Sequence, residues 1–563
     1  MKKQLSQGKS SFEKIVSENC YYIDRTQYIE KLENSSNPYQ FFLRPRKFGK
    51  SLFISTLQCY YGIEYKGRFT ELFGELYIGK NPTKLANTLY VIVFDFSAVD
   101  TRHTDEIETG FFRRVKNGID LFEATYKLFT DEQLVNLQKL TDPAELVLEF
   151  FSIFKNATSG GELFILVDEY DHFTNELLSF NLDSFRNIVT QNGFVRKFYE
   201  AIKSATREGI VDRFFATGVT PVTLDSMTSG FNIAKNLTLV KEFNEMLGFT
   251  ENEVIEMLGY YVVESPERVI EDMREYYNGS LFCIDATTRL YNSNMVLYFV
   301  DALISTASYP RVLVDINIAS DYSKIGKLIL LAKHNELSER MNELFESGEV
   351  AARLTYQFSF ERDFTEDDLI SLLFYNGLLT LKSEMGPRFI FSIPNYAIRE
   401  LYWDFLKIKY EERYSVELTN SEIDDEMYEF TYKANYQKLI HAIERVMERL
   451  SNRDLMNFTE KDLKLLVILL ARLSDSFVIE SEVEVSGKYI DLLLSAKTEK
   501  GIKENYLIEL KYLKMAQESE LNQKLNEAEE QAKEYLSLIE RSKKYIGLAI
   551  VFVGRKGLAS VIN

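Results

Sequence analysis

The chain of 563 residues is 45% hydrophobic and 27% charged, an ordinary globular composition that is long enough for about three or four domains. With 66 Lys and Arg against 85 Asp and Glu, the formal charge is −19, so the surface as a whole repels polyanions, and a nucleic-acid substrate requires a local basic cleft or divalent metal. The three cysteines and four histidines are scattered, and no apolar run approaches the ~20 residues of a membrane span, which argues against a disulfide framework, a Cys/His zinc site and a membrane protein.

Short apolar runs in the first part of the chain predict buried strands. Helical stretches separate these runs, and near-continuous apolar runs between helices are typical of parallel strands that are covered on both faces. The predicted strands are Gln40–Leu43, Thr88–Phe96, Leu163–Val167 and Arg213–Thr217. We therefore predict an α/β domain with three layers over residues 1–250.

The sequence RPRKFGKS follows the first predicted strand and precedes a helical stretch from Leu52 to Tyr60. Strand, loop and helix in this order are the context of a Walker A loop, whose backbone N–H groups surround phosphates. The motif G-x-x-x-x-G-K-[ST] is incomplete here, because Arg44 stands where its first glycine belongs. A basic turn that precedes a helix is the alternative interpretation.

Each residue type in this loop has its own expected role. Lys50 is expected to reach the β- and γ-phosphates of ATP, and Ser51 is expected to ligate Mg²⁺. Gly49 precedes the lysine as the motif requires, and the basic residues Arg44 and Arg46 are further candidate nucleotide contacts. The loop therefore predicts ATP and Mg²⁺ as cofactors of the first domain.

The third predicted strand ends in the acidic pair Asp168 and Glu169, the form of a Walker B strand. Asp168 is expected to hold Mg²⁺, and Glu169 to orient or deprotonate the attacking water; alone, the pair would be interpreted as surface acids that cap a strand. The fourth strand ends at Thr217, a candidate sensor of the γ-phosphate or else a capping residue. Arg207 and Arg213 are candidates for an arginine finger or for surface salt bridges.

The rest of the chain changes character twice. Residues 251–410 are mostly helical, and a helix followed by RFIFSIPN indicates a winged-helix-like arrangement. Amphipathic helices continue to about residue 473, and β-type runs then return with one long charged helix, Ala516–Arg541, before the last of them. These predicted strands are Lys488–Leu494, Asn505–Leu510 and Tyr545–Val553. We assign a helical and winged-helix-like region to residues 251–410 and an α/β domain with a helical lead-in to residues 411–563.

Acidic residues and a lysine occur on neighbouring strands of this last domain. Asp491 lies on one predicted strand, and Glu509 and Lys511 lie two residues apart on the next, so the last two side chains share a face. Asp491 and Glu509 are candidate ligands of a divalent ion, Mg²⁺ or Mn²⁺, and Lys511 is a candidate to activate water or offset phosphate charge. Surface-exposed strand carboxylates are the alternative interpretation. Of Glu482 and Glu484, which precede this hairpin, we favour Glu482 as a further metal ligand.

Together these motifs resemble those of the bacterial AAA-ATPase-like proteins that carry a C-terminal PD-(D/E)XK nuclease domain. The resemblance extends over nearly the whole chain and adds several segments to those above. The added segments are Tyr22–Thr26, Thr217–Val222 with TSGFNI after it, and Tyr276–Gly279. Arg44 in place of the first Walker glycine is typical of the resemblance, which also implies that Asp24 and Thr26 lie near the nucleotide. Arg25 stands where Lys is common, and the segment YNSNMVLYF is divergent.

The motifs and the resemblance together lead to a functional hypothesis. We expect a hydrolase in which ATP binding or hydrolysis controls a metal-dependent nuclease that cleaves nucleic acid, DNA rather than RNA. The alternative is a nucleotide-controlled switch whose nuclease-like domain binds nucleic acid or a protein without cutting. A homo-oligomer is compatible with a P-loop ATPase, no membrane partner is expected, and the lack of an apolar leader predicts a cytoplasmic protein.

Overall fold

The chain forms two compact units in the computed structural model, residues 1–401 and residues 402–563. The three-way division at residues 250 and 410 stays a prediction. The structure describes residues 2–97, 99, 104–172, 193–221, 231–261, 266–310, 312–315, 340–341, 343–344, 347–358, 364–497, 502–539 and 544–562. Among these residues, no helix combines the length and the apolar character needed to cross a bilayer.

The first unit is built on a parallel sheet with the strand order β5–β1–β4–β3–β2. All four strands predicted for it are present, and their ends lie within two residues of the predicted ends. The strands are β1 (Tyr39–Leu43), β2 (Tyr90–Asp95), β3 (Leu163–Asp168), β4 (Val211–Gly218) and β5 (Lys235–Asn236). Every residue of β3 is buried, as expected for a strand that is covered on both faces.

Helices cover both faces of this sheet. The ring of Phe215 lies 6.0 Å from Phe53 on one face, whereas the neighbouring Phe214 lies 6.4 Å from Tyr199 on the other. The three-layer α/β arrangement predicted from the sequence is therefore confirmed. The helices up to β5 are α1 (Phe12–Ser17), α2 (Gln27–Asn34), α3 (Lys50–Tyr61), α4 (Phe69–Phe73), α5 (Tyr77–Lys80), α6 (Thr104–Tyr126), α7 (Asp131–Lys139), α8 (Pro143–Thr158) and α9 (Phe194–Arg207).

Helices dominate the rest of the first unit, with one small antiparallel sheet of order β6–β8–β7. The predicted order of a helix followed by a β-ribbon is present, and β6 adds a strand to the ribbon. The elements are α10 (Glu251–Tyr261), α11 (Pro266–Tyr277), α12 (Ser293–Thr306), β6 (Glu349–Ala352), α13 (Glu366–Tyr375), β7 (Thr380–Met385) and β8 (Arg388–Ser392). Helix α14 (Tyr396–Tyr414) contains the boundary between the two units.

The second unit contains a mixed sheet of order β13–β12–β11–β10–β9, in which β11 and β12 are parallel. The three predicted strands are present, and β9 and β13 extend the sheet at its edges. Its helices are α15 (Ser421–Lys433), α16 (Tyr436–Arg449), α17 (Asn452–Asn457), α18 (Glu460–Leu473) and α19 (Leu521–Leu538). Its strands are β9 (Phe477–Val485), β10 (Lys488–Ala496), β11 (Asn505–Leu513), β12 (Tyr545–Val553) and β13 (Lys556–Ile562). A 3₁₀ turn precedes α19, and Arg541, the predicted helix end, lies outside the described residues.

Successive residues of β11 contact different helical layers. The ring of Tyr506 stacks on Phe430 of α15 at 4.8 Å, whereas Leu507 packs with Ala528 and Ala532 of α19. Helix α18 begins with a capping box between Thr459 and Asp462, which satisfies backbone donors at its first turn. This cap fixes where the polar side chains of the first turn of α18 project.

Candidate functional site

The carboxyl ends of three strands meet at one edge of the parallel sheet of the first unit. The register pairs Leu43 of β1 with Gly218 of β4, and Val167 of β3 with Ala216 of β4. The RPRKFGKS loop, the Asp168–Glu169 pair and Thr217 therefore lie at the same edge, as open α/β sheets place their ligand sites. Arg213 lies near the amino end of β4, and Arg207 precedes it, so both belong to the opposite edge.

The loop that follows β1 folds around its own lysine. Gly49 has a φ of +100°, a left-handed conformation that favours glycine, and it begins helix α3. The Lys50 ammonium donates hydrogen bonds to the carbonyl oxygens of Arg44 and Pro45, each at 3.0 Å. Burial lowers the pKa of Lys50, and the negative charges of Glu169 and Asp168 act against that shift. The lysine is thus held inside the loop and close to the acidic strand end.

Ser51 and Asp168 contact each other below this loop. Burial raises the pKa of Asp168 to about 6, and a hydrogen bond from the Ser51 hydroxyl partly opposes the rise. A serine hydroxyl beside a buried carboxylate is a donor set that suits Mg²⁺ bound with nucleotide phosphates. The two residues predicted as magnesium ligands are therefore adjacent.

Glu169 has an unusual backbone and a basic environment. Its φ is +48°, and its Oε2 lies 3.0 Å from Nδ1 of His172. Burial alone would raise the pKa of Glu169, but the hydrogen bond from His172 and the charges of Lys50, His172 and Arg46 lower it to about 2. The carboxylate is therefore ionised and oriented at neutral pH.

The end of β4 is tied to the acidic segment after β3. Asp171 accepts hydrogen bonds from the backbone of Val219 and Thr220 and from the Thr220 hydroxyl, at 2.6–3.1 Å. A Cβ added to Gly218 would lie 2.2 Å from Oδ1 of Asp171. Thr217 is 1% exposed, and its hydroxyl oxygen has no hydrogen-bond partner among the described residues. Such a buried, unpaired hydroxyl fits an additional polar group in the site.

The side chain of Arg44 is buried among neighbouring segments, a position that the Walker A motif did not predict. Its guanidinium donates to the carbonyl oxygens of Leu43, Thr238, Phe243 and Asn244 at 2.9–3.1 Å. The rings of Phe42 and Phe282 lie on it at 4.2 Å each.

Burial lowers the pKa of Arg44 to about 9. The side chain of this residue therefore holds the loop to neighbouring segments, and its carbonyl oxygen faces Lys50. The sequence motif predicts that the Arg44 side chain contacts the nucleotide, because a loop motif does not reveal in which direction a side chain points.

A pocket of about 400 Å³ lies against the loop. This volume is within the usual range of small-molecule sites. Charged and polar lining comes from Arg46, Lys50, Ser51 and Glu169. Apolar and aromatic lining comes from Tyr21, Tyr22, Ile23, Leu247, Phe249, Met257 and Leu297. The lining thus includes both cationic and aromatic side chains, which suit the phosphates and the base of a nucleotide.

Asp24, Arg25 and Thr26 occupy different environments. Asp24 accepts hydrogen bonds from the Thr26 backbone and hydroxyl and from the Tyr77 backbone at 2.6–2.8 Å, which is a capping role. Arg25 lines the pocket and forms an ion pair with Glu253 of α10. The divergent segment after residue 290 also reaches the loop, since the Asn292 amide donates to the Arg46 carbonyl oxygen at 3.2 Å.

The second cluster lies on β10 and β11 of the second unit. The antiparallel register pairs Leu492 with Ile508, which places Asp491 opposite Glu509. The Asp491 backbone N–H donates to Oε1 of Glu509 at 3.2 Å, and the Leu510 N–H donates to Oδ2 of Asp491 at 2.9 Å. Glu509 is 2% exposed, and burial together with the charge of Asp491 raises its pKa to about 8.

Lys511 lies on the same side of β11 as Glu509, as strand alternation predicts. Its side chain is 19% exposed, and its Nζ lies 3.9 Å from Oε1 of Glu460. Glu460 also accepts a hydrogen bond from the Tyr512 backbone at 3.3 Å. The first residue of α18 therefore positions the strand that carries Glu509 and Lys511.

Glu482 of β9 lies opposite Asp491 of β10, because the antiparallel register pairs Val483 with Ile490 and Ser481 with Leu492. Its φ of +52° interrupts regular pairing, and its side chain is 42% exposed. Lys464 of α18 contacts Glu482 and donates to Oδ1 of Asp491 at 3.1 Å. Burial lowers the pKa of Lys464, but Asp491 and Glu482 outweigh burial and the net shift is upward.

Helix α19 covers the same cluster from the other layer. Tyr535 is 4% exposed, and the charge of Glu509 contributes to its raised pKa after burial. Oε1 of Gln531, one turn earlier, is buried without a hydrogen-bond partner among the described residues. Tyr535 is thus close enough to Glu509 and Asp491 to be affected by their charge, and Gln531 lies on the same face of the helix.

The donor set of this cluster fits one hard divalent cation. Among the described residues, no group of three or more Asp, Glu, His or Cys side chains is arranged to hold a metal ion. Mg²⁺ is commonly held by only one or two carboxylates and keeps several waters, so Asp491 and Glu509 are a sufficient protein contribution. Glu509 is buried and Asp491 is partly buried, so a cation between them would relieve the repulsion of their negative charges.

Sequence reasoning missed three residues of these sites: His172, Glu460 and Lys464. His172 follows Glu169 by three residues, and the histidine was set aside because it belongs to no zinc pattern. Glu460 and Lys464 are four residues apart, so they share a face of α18, and this spacing was their visible signal.

Two family models match the chain in the regions of these sites. Residues 6–228 match the model described as predicted AAA-ATPase, and residues 458–559 match that of the PD-(D/E)XK nuclease superfamily. The chain therefore joins an AAA-ATPase-like domain to a PD-(D/E)XK nuclease-like domain. Domains of these two kinds generally use nucleotide and divalent metal, and their presence together suggests hydrolase activity.

One curated relative shares part of this sequence. It is described as an uncharacterized protein in the vnfD 5' region of Azotobacter chroococcum mcd 1, and it is 28% identical over 284 residues. The matched segment is 49% of this chain and 48% of the relative. The chain thus spans about half the length of the curated relative that it matches.

Proposed function

We propose that this protein binds and hydrolyses ATP with Mg²⁺ in its first unit and cleaves nucleic acid, DNA rather than RNA, in its second. The nuclease half of the proposal rests mainly on the pair formed by the partly buried Asp491 and the buried Glu509, with Lys511 on the same face of β11 as Glu509. The ATPase half rests on the Lys50 loop beside Asp168 and Glu169. ATP binding or hydrolysis controls cleavage, and the protein acts as a homo-oligomer.

In the ATPase site, Lys50 exchanges its two carbonyl partners for the β- and γ-phosphates. Ser51 and Asp168 hold Mg²⁺, which offsets phosphate charge when bound. Glu169, kept ionised by its basic neighbours, orients the attacking water and accepts its proton. The Thr217 hydroxyl donates a hydrogen bond to a γ-phosphate oxygen, which gives this buried hydroxyl a partner. Arg46 contacts the phosphates from the pocket wall.

In the nuclease site, Asp491 and Glu509 hold Mg²⁺ or Mn²⁺, with Glu482 as the third nearby carboxylate. When bound there, such an ion would supply Lewis acidity for the phosphodiester and would lower the pKa of water. Lys511, oriented by Glu460, positions the attacking water and offsets the charge that develops on the phosphate. Gln531 and Tyr535 line the wall of the site opposite the strands.

A direct test incubates the purified chain with plasmid, linear and single-stranded DNA and with RNA, in Mg²⁺ or Mn²⁺, with and without ATP. Lys511→Ala is expected to abolish cleavage, and Lys50→Ala to abolish ATP hydrolysis. Exposed lysines provide matched controls: Lys503→Ala precedes the strand of Lys511, and Lys84→Ala lies in the first unit. Cleavage that survives Lys511→Ala unchanged would identify a contaminant and refute the nuclease proposal.

The second candidate function is a nucleotide-controlled binding switch, favoured by the formal charge of −19. A net acidic surface opposes retention of long polyanions, which suits a docking domain better than a processive nuclease. The same samples decide between the two functions. A wild-type chain that retards DNA or a protein partner in an ATP-dependent manner, yet releases no nucleotide product with either metal, supports the switch.

A further inference from the structure

A second lysine reaches the nuclease carboxylates from the helical layer. Lys464 projects from the first turns of α18, its side chain is 14% exposed, and its Nζ lies 3.1 Å from Oδ1 of Asp491. The same ammonium group contacts Oε1 of Glu482. One cation thus connects two carboxylates that belong to adjacent strands.

The contacts of Asp491 leave little freedom to its carboxylate. Oδ1 accepts from Lys464 and Oδ2 accepts from the Leu510 backbone at 2.9 Å. The left-handed backbone of Glu482 directs its own carboxylate to the same ammonium. A lysine that served only to attach α18 to the sheet would not need an ion pair with Asp491, a candidate metal ligand.

Within the part of the chain that the structure describes, four carboxylates and two ammonium groups face this point, and the neighbouring Lys524–Glu527 ion pair adds no net charge. The carboxylates belong to Glu460, Glu482, Asp491 and Glu509, and the ammonium groups to Lys464 and Lys511. When all are ionised, their formal charge is −2, which a single divalent cation neutralises. Without Lys464 the formal charge becomes −3, and one divalent cation leaves it negative in front of a phosphodiester that is itself negative.

We propose that the Lys464 ammonium takes the place of a second divalent cation between Asp491 and Glu482, so that the nuclease site binds one metal ion. This inference rests on the proposed nuclease function. In two-metal sites the second ion neutralises carboxylates and clamps the substrate oxygens. Lys464 supplies the neutralising charge from the protein itself and makes Glu482 its counter-ion. The metal ion is then held by Asp491 and Glu509.

The test counts metal ions in the nucleotide-free full chain by titration calorimetry with Mn²⁺, and checks the count by the loss of the free Mn²⁺ paramagnetic resonance signal. Asp491→Asn identifies the ions that belong to this site. Lys464→Met keeps the length of the side chain and removes its charge, and Lys464→Arg keeps the charge. Lys461→Met, on the exposed side of α18, controls for net charge.

The expected difference between the wild type and Asp491→Asn is one ion per chain. The Lys464→Met variant is expected to bind two ions at this site, or one ion about tenfold more tightly, because the competing ammonium group is gone. The Lys464→Arg and Lys461→Met variants are expected to keep the wild-type count and affinity. In cleavage assays the dependence of rate on Mn²⁺ is expected to steepen from first toward second order in Lys464→Met. Circular dichroism and urea unfolding confirm that each variant is folded.

Three results overturn the inference, and they can be told apart. If Lys464→Met binds Mn²⁺ with the wild-type count and affinity, while Asp491→Asn loses an ion, the lysine has no part in metal selection and the nuclease proposal stands. If Asp491→Asn loses no ion, there is no metal site at this cluster, and the nuclease proposal and the inference fail together. A wild-type count of two ions at the site also contradicts it.

Discussion

The carboxylate of Glu169 is held 3.0 Å from Nδ1 of His172, three residues further along the chain. Because Glu169 adopts a left-handed backbone conformation at the end of β3, its side chain turns toward this imidazole and toward Lys50. The pair therefore combines the proposed general base with a histidine that holds its carboxylate in place. Mutation of Glu169 and mutation of His172 can therefore test the proposed base and its positioning residue separately.

Glu169→Gln is expected to lower ATP turnover by about 10²- to 10⁴-fold, the usual contribution of a general base, with nucleotide affinity retained. His172→Ala is expected to lower it by roughly 10-fold, because the imidazole acts only through Glu169. Phosphate release gives the turnover, and a fluorescent ATP analogue gives the affinity. Glu162→Gln, an exposed carboxylate just before the same strand, is the control. Full turnover in Glu169→Gln would remove this residue from the chemistry.

Arg44→Gly restores the formal Walker motif and is nevertheless expected to destabilise the first unit. It removes the guanidinium donors from four carbonyl oxygens, of which that of Phe243 keeps the Met246 N–H, and it removes the cation that lies on the rings of Phe42 and Phe282. The expected loss is about 3 kcal/mol or more. Urea unfolding of the full chain measures this change. Lys47→Asn, at an exposed position of the same loop that also has a positive φ, should change stability by less than about 0.5 kcal/mol. Equal stability of the two variants contradicts the assigned role of Arg44.

Acid is expected to weaken the link between Arg25 and Glu253. Burial acts to raise the pKa of Glu253, but the Arg25 guanidinium outweighs burial, and the net shift is downward. A lowered folded-state pKa stabilises the protein above the unfolded value of 4.5, and this contribution disappears as the pH falls through the folded-state pKa.

Unfolding curves between pH 7 and pH 3 test this link. Glu253→Gln should cost about 3 kcal/mol at pH 7, and the difference from wild type should shrink toward pH 3. Glu256→Gln on the exposed side of α10 should show no such trend. A difference that stays constant with pH would mean that the ion pair does not control the stability of this region.

Divalent metal is expected to stabilise the second unit through Asp491 and Glu509. At a concentration of about 100 times the dissociation constant, Mn²⁺ should add about 2.7 kcal/mol, and chelation should reverse it. Differential scanning calorimetry of the nucleotide-free chain measures the change. Asp491→Asn should lose the effect, whereas Glu484→Gln, at an exposed position of β9, should keep it. Metal stabilisation that persists in Asp491→Asn places the ion elsewhere.

Local patterns were sufficient to predict much of the fold. The apolar runs of β1 to β4 are continuous and separated by helices, and each gave its strand within two residues. The hairpin of Asp491 and Glu509 was predictable for a similar reason, since the two strands are close in sequence and alternate regularly. The order of the strands in the first sheet depends on long crossover connections, and no local sequence pattern predicts it.

Long-range side-chain contacts were not predictable. Lys464 and Glu460 reach the carboxylates from a helix that precedes β9, and sequence spacing cannot tell which strand a helix face will cover. Arg44 has its partners about 194–200 residues further along the chain. The roles assigned to the individual site residues, including Glu482 and Thr217, stay predictions until the variants are measured.

The close contact between Gly218 and Asp171 limits which residues can replace either of them during evolution. Even a methyl group there would lie 2.2 Å from the Asp171 carboxylate, which holds the Val219 and Thr220 amides, and 2.5 Å from the Tyr170 ring, so both side chains would have to shift. Loss of glycine at this place should therefore be accompanied by loss of the aspartate in the same homologue. Covariation of positions 171 and 218, far apart in sequence, should accordingly appear in any sufficiently deep collection of relatives.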